Sequence, residues 1–221
     1  MADLNPLFQV GLDVRDRVCL VIGGGGEAED KAARLIDAGA RVVLVSPEST
    51  QFLEDWATQG WLEWRQRHYE PGDLDSALLV LNTVRCNTDL GDRVLADAEF
   101  RGILVNTYDD VSRSHFGMAA LVKAGPLRLS ISTSNASPTL SRRLRQDLEG
   151  LFDAEFGEYL EALGNARTHL KETIHDFDTR RLILHGLVEG AGLEGRFAVP
   201  ADWRQRIEAA LAATDIKKPG E

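Results

Sequence analysis

The chain lacks the features that would place it outside an ordinary globular class. Nowhere does it approach the roughly 18 consecutive apolar residues that a membrane span requires, and it shows no internal repeat or low-complexity tract. Two cysteines, Cys19 and Cys86, are too few for a disulfide framework. Cys19 stands in an apolar strand pattern and reads as a buried thiol, so a reducing cytoplasm is the expected compartment. His68, His169, His175 and His185 have no metal-ligand spacing with cysteine or a second histidine, and no metal site is expected. The opening MADLNPLFQVGLDVRDR carries early acids and no long apolar core, so it is not expected to act as a secretory signal.

Charge is unevenly distributed. The net charge of −10 over 221 residues argues against nucleic acid as a general partner, because duplex binding rests on neutralising phosphates. Yet Val111 to Gln146 contains no Asp or Glu, while carrying Arg113, Lys123, Arg128, Arg142, Arg143 and Arg145. Such a segment suits a local anionic ligand. An uneven surface, or a basic face docking on an acidic face of a dimer partner, would give the same pattern.

Periodicity outlines the fold. Residues 17–22 form a nearly continuous apolar run, as strands of buried parallel sheets do. After four glycines, Ala28, Ala32, Leu35 and Ile36 fall on one helical face, Gly39 ends the helix, and residues 42–45 form a second buried strand. Alternation continues with a helix over 52–60, a strand over 62–68 and a strand over 78–81. A helix over 89–99 and a strand over 103–106 follow. This is the pattern of a Rossmann-like, doubly wound parallel sheet of the α/β class. Residues 112–124 show no clear period. Residues 127–132 alternate as a half-buried strand, and Pro138 opens a helix to about Glu149 with Ser137 as its N-cap. A helical period then runs to about Leu187, with His175 and Asp176 on its solvated surface. Breaks follow at Gly190, Gly192 and Gly195, and a last helix starts at Pro200 and Asp202 with Gln205 completing a capping box. Trp56, Trp61 and Trp64 read as packing between sheet and helix.

The glycine turn reads as Gly23-x-Gly25-x-x-Ala28 between a strand and a helix, the context of a dinucleotide fingerprint. In that reading the first glycine makes the turn and the second admits a pyrophosphate. The small third residue lets helix and strand pack, and the N–H groups of residues 25–28 face the phosphates. A turn that only packs is the other reading. Ser46, Pro47 and Glu48 close the second strand with no arginine to meet a 2′-phosphate, which favours NAD over NADP; Glu48 also reads as a plain loop residue.

Three stretches, VIGGGGEAEDKAARLIDAGARVVLVSPE, GILVNTYDD and GPLRLSISTSNASPTLSRRLRQDLE, together resemble the precorrin-2 dehydrogenase family, the siroheme synthase N-terminal type. The resemblance covers roughly residues 5–150. It implies a Rossmann domain over 1–110, a small dimerisation and substrate-binding region over 111–150, a C-terminal helical region over 151–221, and a homodimer. The implied reaction is NAD-dependent oxidation of precorrin-2 to sirohydrochlorin, with Fe²⁺ insertion as a further activity of some members. The implied cofactor contacts are Gly23, Gly24, Gly25, Gly26, Glu27, Ala28, Ser46, Pro47 and Thr83. Asp109, ending Asn106-Thr107-Tyr108-Asp109, is the implied catalytic acid–base, although Asp109 and Asp110 alone read as an Asx turn. The polycarboxylate substrate would meet Ser132, Thr133, Ser134, Asn135, Ser137, Arg142 and Arg143, with His115 as a further candidate.

Several pieces depart from the family. A Thr-Asp-Asp-like stretch becomes Asn82-Thr83-Val84-Arg85-Cys86-Asn87, and Glu27 stands where a small apolar residue is usual. A double glycine is lost from Ser132-Thr133-Ser134-Asn135-Ala136-Ser137-Pro138, and Phe-x-x-Pro becomes Phe116-Gly117-Met118-Ala119. A member that has lost one activity, such as metal insertion, fits these departures. A nucleotide-sensing module without catalysis is the competing class; it leaves SPTLSRRLR and the basic segment unexplained. A different small NAD-dependent dehydrogenase would need a Tyr-x-x-x-Lys pair, which is absent.

Overall fold

In the computed structural model, residues 7–189 and 191–192 are described. They fall into two compact units, dividing after Gly157.

The first unit is built on five parallel strands: β1 (Val18–Ile22), β2 (Arg41–Val45), β3 (Leu62–Arg65), β4 (Ala77–Asn82) and β5 (Leu104–Thr107). Their order is β3-β2-β1-β4-β5, so the winding reverses between β1 and β4. In open α/β sheets that switch point opens a crevice at the carboxyl ends of the strands. Apolar residues of β1 alternate between two cores. Cys19 and Val21 join Ala28, Ala32 and Leu35 of α1 (Gly26–Asp37) and Leu53 of α2 (Gln51–Thr58). Leu20 and Ile22 join Leu90, Val94 and Ala98 of α3 (Thr88–Arg101). Both faces of the sheet are thus covered, which is why its strands read as continuous apolar runs.

Local chemistry sets the helix ends. Thr50 caps α2, accepting from the Leu53 N–H at 3.4 Å, and Asn87 caps α3, accepting from the Leu90 N–H at 3.0 Å. Gly39 and Gly102, with φ of 80° and 67°, turn the chain out of α1 and α3 in the left-handed region that favours glycine. Beyond β3, the Asp73 carboxylate is enclosed. It accepts from Arg65 at 2.9 Å, from Arg67 at 2.6 and 2.7 Å, and from the Glu70 N–H at 2.9 Å.

Residues 112–124, aperiodic in sequence, contain β6 (Ala120–Ala124), which pairs antiparallel with β7 (Leu127–Ile131). Only Val122 of β6 is fully enclosed, so no apolar alternation marks it. The helix α4 (Pro138–Glu149) packs on β6 and opens as expected, the Ser137 hydroxyl accepting from the Leu140 N–H at 3.1 Å. The strand expected over 62–68 stops at Arg65, where the Asp73 cluster begins.

The second unit contains most of α5 (Ala154–Thr173) and all of α6 (Phe177–Gly186). The single helical run expected to Leu187 is interrupted. Asp176 is no mid-helix surface residue: it caps α6, accepting from the Thr179 N–H at 2.7 Å, and Arg180 donates to the Ile174 and His175 carbonyls. The Tyr159 hydroxyl donates to the Leu187 carbonyl at 2.7 Å, tying the two helices. Trp56 and Trp64 pack on the core as expected, whereas Trp61 is 54% exposed and stacks on Trp56 at 6.4 Å. The helix expected from Pro200, and Gly190 and Gly195 before it, lie outside the described residues.

Candidate functional site

The four glycines do two different jobs. Gly23 has φ of 101°, and a Cβ there would stand 2.6 Å from Thr83 Oγ1; at Gly24 it would stand 1.9 Å from the Glu48 carbonyl oxygen. These two glycines let the turn pass between the β2 and β4 loops, pinned by Gly23 N–H to Val45 O and Thr50 N–H to Gly24 O, both at 3.0 Å. At Gly25 and Gly26 a Cβ would meet nothing within 4 Å. Gly25 is the N-cap of α1 and brings no capping side chain, so the first-turn N–H groups of the helix stay open. Chain packing therefore explains the first pair and leaves Gly25 to a close-approaching anion, which a helix N-terminus favours, while neither packing nor the turn demands a glycine at Gly26. This arrangement fits a dinucleotide.

The cavity in front of the turn measures about 760 Å³. Gly23, Gly24, Gly25, Ser46, Pro47 and Thr83 line it, together with Glu48, His68, Tyr69, Asn87 and Arg93. The Thr83 hydroxyl is already committed, donating to the Ile22 carbonyl at 2.8 Å, so it braces the floor of the crevice. Ala28 is fully buried against the sheet and takes the packing role expected of the small third residue. Gly26, Glu27 and Ala28 do not line this cavity. Sequence reasoning missed His68, Tyr69 and Arg93, which reach the cavity from the β3 exit and from α3 and carry no motif.

Asp109 and Asp110 follow β5 and differ in employment. Asp110 caps a 3-10 turn over Val111–Arg113 and holds Ser112 and Arg113, each at 2.6 Å. The Ser112 hydroxyl and the Arg113 guanidinium keep its carboxyl below the usual carboxylate range. The Asx-type role thus falls to Asp110. Asp109 is exposed, sits at φ of 54°, and makes no side-chain hydrogen bond or ion pair among the described residues. Such a backbone angle is uncommon for a residue with a side chain, though aspartate adopts it more readily than most, and it fixes the chain sharply at the end of β5. A cavity of about 370 Å³ joins Asp109 to Arg85, Cys86 and Arg113. Below it, the paired ends of β4 and β5 hold two buried polar atoms, Asn82 Nδ2 and Thr107 Oγ1, that find no hydrogen-bond partner among the described residues.

Asp109 also lines a cavity of about 450 Å³ with Lys31, Asn135 and Pro138. Asn135 and Pro138 are shared with a larger one of about 760 Å³ between α1, the β6–β7 hairpin and α4. Ser132, Thr133 and Arg142 line that larger space, with Arg34, Lys123 and Arg145. Of the six cations in the acid-free segment, five are neutralised by acids from elsewhere. Arg113 holds Asp92 and Asp110, Lys123 and Arg128 hold Asp37, Arg143 holds Asp147, and Arg145 holds Glu149. Of these six, Arg142 alone makes no ion pair among the described residues. Three expected substrate contacts lie outside these cavities. Ser137 is spent as the α4 cap, and Ser134 turns the loop at φ of 50°. Arg143 pairs with Asp147 on the exposed side of α4. His115 is also turned away: its Nδ1 accepts from the Val105 N–H at 3.3 Å, and its Nε2 faces Glu99 at 3.8 Å.

The family described as putative NAD(P)-binding matches residues 10–120. A siroheme synthase of Xylella fastidiosa (strain M12) is 30% identical over 218 residues, covering 98% of this chain and 46% of that protein. One of Chromobacterium violaceum is 34% identical over 207 residues, covering 91% of this chain and 44% of that protein. The chain thus spans less than half the length of these curated relatives. The solved structure titled SirC, precorrin-2 dehydrogenase, superposes with a TM-score of 0.67 at 22% identity, covering 96% of this chain and 100% of that one. That likeness carries the fold. Among the described residues no helix is long and apolar enough to cross a membrane, and no cluster of three or more His, Cys, Asp or Glu could hold a metal ion.

Proposed function

We propose, from the premise that this chain belongs to the putative NAD(P)-binding family, that it oxidises precorrin-2 to sirohydrochlorin with NAD. The observation that carries the reading is the free carboxylate of Asp109, which lines a cavity sharing Asn135 and Pro138 with the one that Arg142 lines. The siroheme synthase relatives and the resemblance in the three quoted stretches supply the substrate class.

The residues divide the task. The open N–H groups of the α1 turn seat the pyrophosphate, with Gly25 giving it room. Ser46 lies buried at the end of β2, and Glu48 is the only charged side chain of residues 46–50, which favours NAD over its 2′-phosphate. Arg142 and the Ser132, Thr133 and Asn135 loop meet substrate carboxylates and orient the macrocycle. Oxidation to the more conjugated ring removes a hydride and a proton. A nicotinamide bound in the crevice would supply the hydride acceptor. Asp109, unpaired, accepts the proton. The same carboxylate suits the pyrrole N–H protons released if Fe²⁺ enters as a substrate.

Anaerobic incubation with precorrin-2 and NAD tests the reading, following nicotinamide reduction and the sirohydrochlorin spectrum together, then adding Fe²⁺. Both signals should rise. Asp109→Ala should lower kcat/KM by about 10²–10⁴-fold, the scale of a lost general base, while NAD affinity stays within about twofold, because a proton acceptor adds nothing to cofactor binding. NAD binding without oxidation by the parent protein would sink the enzyme reading and favour a nucleotide sensor. Equal or tighter binding of NADP would reverse the cofactor assignment.

A further inference from the structure

Glu27 poses a physical problem. It belongs to the first turn of α1, beside the N–H groups a pyrophosphate would meet although outside the cavity lining, and its charge would repel the phosphates and compete for the same helix N-terminus. The structure shows what restrains it. Arg85, from the loop after β4, lines the smaller cavity with Tyr108 and Asp109, its guanidinium 4.5 Å above the centre of the Tyr108 ring. It donates to the Tyr108 hydroxyl at 2.8 Å, and its Nη2 stands 3.5 Å from Glu27 Oε1. On the other flank Lys31 Nζ lies 3.8 Å from Glu27 Oε2.

We propose that Arg85 is a positioning residue for the dinucleotide, acting through Glu27: seated on Tyr108, it draws the Glu27 carboxylate off the helix N-terminus and cancels its charge. The inference rests on the cofactor half of the function proposed above and adds a residue to it. Arg85 acts by occupying its neighbour, with no contact to the cofactor required. The ring and hydroxyl of Tyr108 fix the guanidinium, and a planar, fork-shaped cation suits that seat better than a lysine ammonium does. Without Arg85, Glu27 is free to turn back on the open N–H groups of its own helix, as acidic side chains do in first turns. The same contact ties the cofactor turn to Tyr108, the residue before Asp109. It also gives the stretch Val84-Arg85-Cys86, which departs from the family pattern, a use in this chain.

NADH titration of the purified protein, read by nicotinamide fluorescence, tests this in two backgrounds. Arg85→Ala should weaken NADH binding by about three- to tenfold, the scale of an exposed charge near two phosphates. In a Glu27→Gln background the same change should cost less than about twofold, because no carboxylate is left to restrain. Arg85→Lys should recover part of the loss, and high salt should shrink the difference between backgrounds. An equal cost in both backgrounds would overturn the proposal, since Arg85 would then touch the cofactor or support the loop directly; so would no cost in either. A parent protein that binds no NADH would overturn this inference and the cofactor reading together. Failure to oxidise precorrin-2 while the coupling holds would sink the proposed reaction alone.

Discussion

At Asp73 a carboxylate with a fully enclosed side chain meets two arginines that remain 34% and 39% exposed. Burial alone would raise its pKa, but the bonds from Arg67, Glu70 N–H and Arg65 outweigh it and hold the carboxyl below its usual range. A group with a depressed folded-state pKa contributes fully above the unfolded value and loses that contribution as pH falls through the folded one. Thermal stability should therefore hold down to about pH 4 and decline below it through this site. Asp73→Asn should flatten that acid limb. Asp73→Ala should cost about 1–3 kcal/mol in denaturant unfolding; the stranded arginines can rehydrate, so the loss stays under the cost of a fully buried orphan charge. Residues of this kind were hard to see in the sequence. Asp73 carries no motif, because its arginines come from the end of β3 and just beyond it and its enclosure from the 3-10 turn around it. Asp109 and Asp110 were visible as a pair, but their division of labour was not. It depends on a left-handed backbone angle at one and on Ser112 and Arg113 folding back on the other.

For the elements, the glycine turn separates folding from binding within four residues. Gly24→Ala places a methyl 1.9 Å from the Glu48 carbonyl and should unfold or displace the β2–α2 loop, lowering the melting temperature markedly. Gly26→Ala has open space at a helical position and should be neutral or slightly stabilising, by up to about 1 kcal/mol. Gly25→Ala should melt with the parent yet bind NADH more weakly, because its methyl would stand where the pyrophosphate approaches. If Gly25→Ala binds as the parent does, the open half of the turn is not a phosphate cradle. Calorimetry and NADH titration on the three variants decide it. The β1–α1–β2 unit was readable because three independent signals agree there: apolar runs, glycine punctuation and a helical face. β6 was not, since a strand with one enclosed residue and an exposed Lys123 carries no period. The break between α5 and α6 escaped because the apolar spacing runs through it, and only the Asp176 cap marks the stop.

For the molecule as a whole, the β6–β7 hairpin raises the question of association. Two strands alone make a marginal sheet, and among the described residues their outer edges leave backbone groups without strand partners. The homodimer that the family resemblance implies would let a second copy extend that sheet. Sedimentation should give twice the 24.4 kDa chain mass at micromolar concentration; a monomer would remove the argument from the hairpin. The acid-free segment shows why charge read from sequence can mislead at this scale. Six cations without an acid among them suited a local anionic ligand, yet Asp37, Asp92, Asp147 and Glu149 pair with five of them in space and leave, of the six, only Arg142 without an ion pair among the described residues.

The two thiols are unlike in one useful respect. Cys19 is fully enclosed in the sheet, and burial pushes its pKa up to about 11, whereas Cys86 is exposed, on the loop beside Arg85 and Asp109. Thiol-directed reagents attack the thiolate, so under native conditions a maleimide dye or spin label should attach at one place, the rim of the crevice. The unaltered protein thus offers a single conjugation point from which the arrival of each ligand can be watched optically or by electron resonance.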